Sequence, residues 1–100
     1  MSYTYQIHPL VEQDFEEGYT WYEEKQKGLG ERFINAVDRK IKQIVQNPEF
    51  YGRKTNKSFR EVEVEIFPYL VVYKVNKPKR EIYITSIHHT KKHPRKKYRK

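Results

Sequence analysis

The stretch FPYLVVYKV at residues 67–75 decides the fold, because it is the longest nearly continuous run of aromatic and β-branched residues in a polar chain. Such residues pack well on a pleated surface, and a run of this kind between turn signals is typical of a strand buried on both faces. Pro68 has no N–H to donate, so we expect it at the strand's entry. The turn-forming run at residues 76–79 (NKPK) ends the strand. We therefore predict that this strand is central to a small sheet.

Three further segments have the alternation of β-strands. Residues 59–66 alternate valine or isoleucine with glutamate, which predicts a half-exposed strand with Glu61, Glu63 and Glu65 on its open face. Residues 80–87 predict the last strand, and residues 3–8 alternate aromatic or aliphatic residues with polar ones at the start of the chain. The three C-terminal strands predict an antiparallel meander. The first strand is then added at an edge or beside the central strand.

Two amphipathic helices are predicted between the first strand and this meander. Apolar residues recur at helical spacing over residues 9–25 and again from residue 29 or 30 to 46. Gly28 between them suits a left-handed helix end, and Asn47-Pro48 ends the second helix. Residues 50–58 then predict a basic loop. The fold class is α+β: two layers, β-α-α-β-β-β, with a helical hairpin packed on one face of a four-stranded, largely antiparallel sheet.

Composition limits the kind of protein. One hundred residues make one domain, which we place at residues 1–90, followed by a basic tail at 91–100. The mean hydropathy of −1.05 predicts a small core. The absence of cysteine excludes disulfides and thiolate metal sites and agrees with a cytoplasmic location. No apolar run approaches the ~20 residues that span a bilayer, so no membrane partner is predicted.

Charge is distributed unevenly along the chain. Residues 1–50 carry six Lys/Arg and nine Asp/Glu, a net charge of −3. Residues 51–100 carry fifteen Lys/Arg and four Asp/Glu, a net charge of +11. A segregated excess of this kind predicts that the second half faces a polyanion or an acidic protein, with a merely solvated surface as the alternative.

Several stretches together resemble the RelE/ParE superfamily, the toxins of type II toxin–antitoxin modules. They are WYEE at 21–24, GLGERF at 28–33, Asn47-Pro48, FPY at 67–69 with VYKV at 72–75, and HTKKHP at 89–94. They occur in the family's order and span nearly the whole chain. The pattern resembles the ParE-like, plasmid-stabilisation branch more than the RelE branch, and the family's fold agrees with the layout predicted from the residues.

The resemblance implies a cytoplasmic protein that arrests growth when free and is neutralised by a cognate antitoxin in a hetero-oligomer. Some superfamily members cleave messenger RNA on the ribosome without a metal, and others inhibit DNA gyrase and cleave nothing. The sequence leaves both mechanisms open, so whether this chain is an enzyme is open as well, and neither mechanism implies a cofactor. The alternatives are a non-toxic basic module that binds RNA or DNA, or an inactive copy of a toxin.

Metal-independent RNA cleavage needs cations that hold the phosphate and groups that transfer protons. The catalytic candidates are Arg60, Lys54, His89 and Lys91. Candidates for binding RNA or a partner are Arg53, Lys57, Lys92, Arg95 and Tyr73. The glutamates of the half-exposed strand count against a nuclease, because carboxylates on an open face repel RNA.

The sequence predicts neither a metal site nor an aromatic cofactor pocket. His88, His89 and His93 have no cysteine or carboxylate near them in sequence, so no metal site is predicted. Trp21 and Tyr22 with Phe33 are aromatic residues at helical spacing, which predicts core packing and not a cofactor pocket.

Overall fold

A computed structural model describes residues 3–54, 58–92 and 98–99, without the side chains of Arg53 and Lys54. It has a helical hairpin on one face of a five-stranded sheet. The elements are β1 (Thr4–Ile7), α1 (Val11–Lys25), α2 (Leu29–Gln46), α3 (Pro48–Tyr51), β2 (Arg53–Lys54), β3 (Arg60–Glu63), β4 (Tyr69–Asn76) and β5 (Glu81–His89). The strand order is β1-β5-β4-β3-β2. The predicted α+β class and two-layer arrangement are confirmed.

The central position predicted for the FPYLVVYKV strand is confirmed. β4 lies between β5 and β3, antiparallel to both, and its residues Tyr69–Tyr73 are all buried. Tyr69, Val71 and Tyr73 belong to the core under the helices, whereas Leu70 and Val72 pack with Phe59 in a second cluster. Alternate side chains of a strand point to opposite faces, so β4 contributes to both clusters.

β1 settles at the edge of the sheet, one of the two positions predicted for it. It pairs in parallel with β5, from Thr4 opposite Glu81 to Ile7 opposite Ile84. The meander of β3, β4 and β5 is antiparallel as predicted. A parallel neighbour requires a long connection, and residues 8–80, which contain the helices and the strands β2 to β4, supply it.

The helical hairpin closes through Gly28. Its φ of 89° lies in the left-handed region, which glycine adopts without steric cost. The Glu23 carboxylate accepts the N–H groups of Gly28, at 2.9 and 3.0 Å, and of Gly30, at 3.0 Å. These bonds satisfy donors at the start of α2 that have no partner within the helix. The apolar stripe of α2 is buried as predicted, with Phe33 and Val37 fully so.

The half-exposed strand differs from its prediction. β3 ends at Glu63, three residues early, because Ile66 adopts a left-handed φ of 76° in the turn before β4. Its side chain is 87% exposed. Glu61, which we expected on an open face, is only 5% exposed and accepts a hydrogen bond from the Tyr98 hydroxyl. The prediction of three carboxylates on an open face was wrong for Glu61, since a distant residue covers it.

The basic loop predicted at residues 50–58 was wrong for its first part. Pro48 begins the short helix α3, where its missing N–H costs nothing, and Phe50 and Tyr51 donate their amides to the Asn47 carbonyl. The two residues of β2 then pair with β3. This adds a fifth strand to the four predicted.

The two long helices pack closely at Gly18. A Cβ built there would lie 2.4 and 2.6 Å from the ring of Phe33, which is fully buried. Helix propensity alone favours alanine over glycine by about 1 kcal/mol, but overpacking a core costs about 1–3 kcal/mol.

We predict that Gly18→Ala lowers the free energy of unfolding by up to about 2 kcal/mol, because the steric cost exceeds the propensity gain. Urea unfolding followed by circular dichroism measures it. Thr20→Ala, an exposed position of the same helix, is the control and should be neutral or slightly stabilising. A more stable Gly18→Ala protein would contradict the packing described for Phe33.

Candidate functional site

A cleft of about 360 Å³ lies between α1 and the ends of β4 and β5. It contains three of the residues singled out from the sequence, namely His89, Lys91 and Lys92. The full lining is Glu17, Trp21, Tyr69, His89, Lys91 and Lys92. A wider, open depression of about 750 Å³ lies near the β4–β5 turn, but none of the predicted site residues lines it.

His89 is fixed in this cleft by its neighbours. Its ring lies edge-on to that of Tyr69, with 4.9 Å between the ring centroids. Its Nδ1 accepts the backbone N–H of Lys91 at 3.0 Å, and its carbonyl accepts the N–H of Lys92. A neutral imidazole with an accepting Nδ1 carries its proton on Nε2. His89 therefore offers the cleft a donor.

The electrostatics of the cleft keep His89 neutral. Burial, and then the charges of Lys91 and Lys92, lower the pKa of its imidazole. Burial also raises the pKa of the Tyr69 hydroxyl to about 12, so that group stays protonated. The hydrogen bond from Lys92, at 2.9 Å, lowers the pKa of Glu17. At neutral pH the cleft thus combines neutral donors with two ammonium groups, one of them paired with a carboxylate.

This arrangement is better suited to binding than to proton transfer. A general base needs a free lone pair directed at the substrate, and the Nδ1 lone pair of His89 is used by the Lys91 amide. The Nε2–H, Lys91 and Lys92 can instead donate to an anionic or carbonyl-bearing group.

Arg60 occupies a different part of the molecule. Its Nη1 donates to the carbonyls of Glu49, at 3.1 Å, and Gly52, at 2.7 Å. It therefore ties β3 to the end of α3. Tyr73, a predicted binding residue, is fully buried, and its hydroxyl donates to the Pro48 carbonyl at 2.5 Å. Tyr73 thus has no surface for a partner to contact, and its position in the core explains why.

The structure does not bring Arg60 and His89 together. Arg60 pairs with Tyr73 and His89 pairs with Tyr69, on opposite sides of β4. Tyr69 and Tyr73 are four positions apart in β4, which is a distance of about 13 Å along the strand.

The remaining predicted site residues lie at the rim of the cleft, in β2 or outside the described residues. Lys91 and Lys92 are exposed at the rim of the cleft, directly after β5. The backbones of Arg53 and Lys54 form β2, and Lys54 pairs with Arg60. Lys57 and Arg95 lie outside the described residues.

Tyr98 and Arg99 pack against the sheet and α1. The Tyr98 ring lies 4.9 Å from that of Phe59. Arg99 donates to both carboxylate oxygens of Asp14, at 2.7 and 2.8 Å, and to the Thr85 carbonyl at 3.2 Å. Asp14 also accepts the N–H of Ile87 at 3.0 Å. These contacts satisfy the outer edge of β5 beyond the last residue that pairs with β1. The division of the chain at residue 90 stays a prediction.

Two findings concern other kinds of site, and both refer to the part of the chain that the structure describes. It contains no group of three or more His, Cys, Asp or Glu side chains placed to hold a metal ion. Its helices include none with the length and apolar character needed to cross a bilayer.

Sequence reasoning missed Trp21 and Glu17. Tyr22 packs on Phe33, with ring centroids 5.3 Å apart, as the core interpretation predicts. Trp21 is 53% exposed, so its assignment to the core was wrong. Position 21 lies outside the apolar stripe of α1, and this was the sequence signal that Trp21 is exposed. Glu17 carried no such signal, because its contact with Lys92 spans 75 residues of sequence.

We predict that His89 makes the protein less stable in mild acid. Its pKa is lowered in the folded state, so below the unfolded value of about 6.5 the unfolded chain binds more protons, and stability falls as pH decreases. The free energy of unfolding should drop more in the wild type than in His89→Asn between about pH 7 and pH 5. Urea unfolding at both pH values measures it. Equal drops would show that burial of His89 has no such effect.

We predict that Asp14→Ala costs more stability than Arg99→Ala. Loss of Asp14 removes the acceptor of the Ile87 N–H and leaves Arg99 with only the Thr85 carbonyl, at about 2–3 kcal/mol, whereas loss of Arg99 leaves Asp14 bonded to Ile87, at about 1 kcal/mol. Chemical unfolding of both variants measures the difference. Lys42→Ala, which breaks only an exposed pair with Asp38, should change stability by less than about 0.5 kcal/mol. The reverse order of the first two would refute the network.

Comparison with known proteins identifies the family. Residues 5–94 match the family described as "ParE toxin of type II toxin-antitoxin system, parDE". Among solved structures, the chain is similar to one from the "Chromosomal ParDE TA system from P. aeruginosa", with a TM-score of 0.78 and 16% sequence identity over 89% of this chain and 97% of that one. No curated protein matches the chain. The predicted membership of the RelE/ParE superfamily is confirmed, and the chain belongs to the ParE toxin family of type II toxin–antitoxin systems.

Proposed function

We propose that this chain arrests growth by binding DNA gyrase, without cleaving RNA, and that a cognate antitoxin neutralises it in the cytoplasm. The observation that carries the choice of mechanism is the separation of Arg60 from His89. A metal-independent nuclease needs a cation at the phosphate and a proton-transfer group within reach of the same nucleotide. The two candidates for these roles lie about 13 Å apart along β4.

The contacts of each group support the same choice. Arg60 is engaged with two backbone carbonyls, and the lone pair of His89 is engaged with an amide. Both side chains act here as structural groups.

RNA cleavage is the second candidate, and one observation favours it. In the cleft, the His89 imidazole lies beside Lys91 and Lys92, and these side chains together can bind a phosphate. Lys92 and the Glu17 carboxylate are paired with each other, however, and the Nδ1 of His89 accepts a proton only if its bond to the Lys91 amide opens.

An antitoxin partner is supported by the family and by two surface features. The second half of the chain carries a net charge of +11, which attracts acidic segments. The outer edge of β1 ends the sheet, and an extended partner segment can add to such an edge through main-chain hydrogen bonds.

We predict that induction of the chain in bacteria stops growth and leaves transcripts intact, while gyrase-dependent supercoiling falls. Co-expression of a cognate antitoxin should restore growth. Growth curves, primer extension on abundant transcripts and plasmid topology measure the three outcomes. His89→Ala should keep the arrest, because the proposed mechanism needs no proton transfer.

Cleavage of transcripts within codons, lost in His89→Ala, would establish the nuclease instead. Normal growth on induction of soluble wild-type protein would rule out the toxin function for this chain and leave a non-toxic binding module or an inactive copy.

A further inference from the structure

The short helix α3 presents two aromatic side chains to solvent. Phe50 is 67% exposed and Tyr51 is 37% exposed, and their rings form an edge-to-face pair with centroids 5.1 Å apart. Burying an aromatic side chain contributes a large share of core or interface energy. An exposed pair on a four-residue helix therefore calls for a physical explanation.

The backbone that carries this pair is held by contacts from the sheet. Pro48 is buried, and its carbonyl accepts the hydroxyl of Tyr73. Arg60 donates to the carbonyls of Glu49 and Gly52, on either side of the aromatic pair. These bonds fix the carbonyls at both ends of the turn.

Gly52 shows how closely the turn approaches the sheet. A Cβ at this position would lie 2.0 Å from the Tyr73 hydroxyl and 2.8 Å from the Arg60 Cβ. Only glycine allows the chain to pass here. The pair Phe50–Tyr51 is thus exposed and preorganised, the combination that lowers the entropic cost of binding.

The charge around the pair is mainly positive. The two backbone carbonyls that Arg60 contacts are neutral, so they do not offset its charge. Glu49 is paired with Lys77 at 2.9 Å, so its charge is offset. In the sequence, Arg53 and Lys54 follow Gly52 directly. The complementary surface on a partner is acidic.

We propose that Phe50 and Tyr51 are the anchor by which this protein docks on its target. The target surface would offer an apolar pocket for Phe50 with acidic residues around its rim. This inference rests on the proposed function and assigns the contact surface that such a toxin needs. Aromatic residues and arginine contribute much of the binding energy at protein–protein interfaces.

The geometry favours a protein over a single-stranded nucleic acid. Nucleic-acid platforms stack successive bases on open ring faces inside a groove. Here one ring packs its edge against the face of the other, and both stand on an exposed turn. A protruding anchor of this shape fits a pocket better than a base.

The test compares Phe50→Ala and Tyr51→Ala with Ile66→Ala, the matched control. Ile66 is 87% exposed and lies in the turn at the opposite end of β4. We expect Phe50→Ala to weaken inhibition of purified DNA gyrase at least tenfold, and Tyr51→Ala to weaken it less. Ile66→Ala should match the wild type. Phe50→Ala and Ile66→Ala should keep wild-type unfolding midpoints, because these two side chains are 67% and 87% exposed.

Each outcome bears on one claim. If the wild type inhibits gyrase and Phe50→Ala inhibits it equally well, the anchor is refuted and the proposed function stands. If Phe50→Ala keeps gyrase inhibition but loses binding to a fluorescent oligouridine that the wild type binds, the site is a nucleic-acid platform and the docking proposal is overturned. If the wild type neither arrests growth nor inhibits gyrase, both the function and the anchor are rejected.

Discussion

The bond from the Tyr73 hydroxyl to the Pro48 carbonyl joins the core to the surface that we propose as functional. A tyrosine that is fully buried must find a partner for its hydroxyl, since an unsatisfied buried polar group costs about 1–3 kcal/mol. Here the partner is the first residue of α3. The constraint explains the glycine at position 52, because any side chain there would strike the same hydroxyl. It also places α3 against β3, where Arg60 completes the attachment.

The two ends of β4 have different characters. At the Tyr73 end, a rigid turn carries exposed aromatic residues next to cations. At the Tyr69 end, a cleft contains His89 and two lysines. Arg99 donates hydrogen bonds to α1 and to β5. The sheet thus keeps the candidate cation and the candidate imidazole apart. A protein that acts only by binding its target does not need a cation and an imidazole close together.

The sequence predicted what local patterns control and missed what distant contacts decide. The apolar run of β4, the stripe of α2 and Gly28 are local signals, and the structure confirms each. Glu61 was misplaced because Tyr98, 37 residues away, covers it. The basic-loop prediction ignored Pro48 as a helix start. The candidate site was harder still: Arg60 and His89 are each recognisable by residue type, but only strand register shows that they lie far apart.

The most direct test of this account is amide hydrogen exchange in Tyr73→Phe, which removes one hydroxyl and keeps the ring. If the Tyr73–Pro48 bond holds α3, the amides of Phe50 and Tyr51 should exchange about five- to tenfold faster than in the wild type, as expected for the loss of about 1 kcal/mol. Amides of the sheet that exchange by local openings away from α3 should keep their protection. Unchanged exchange at Phe50 and Tyr51 would contradict the claim that the core fixes the docking turn.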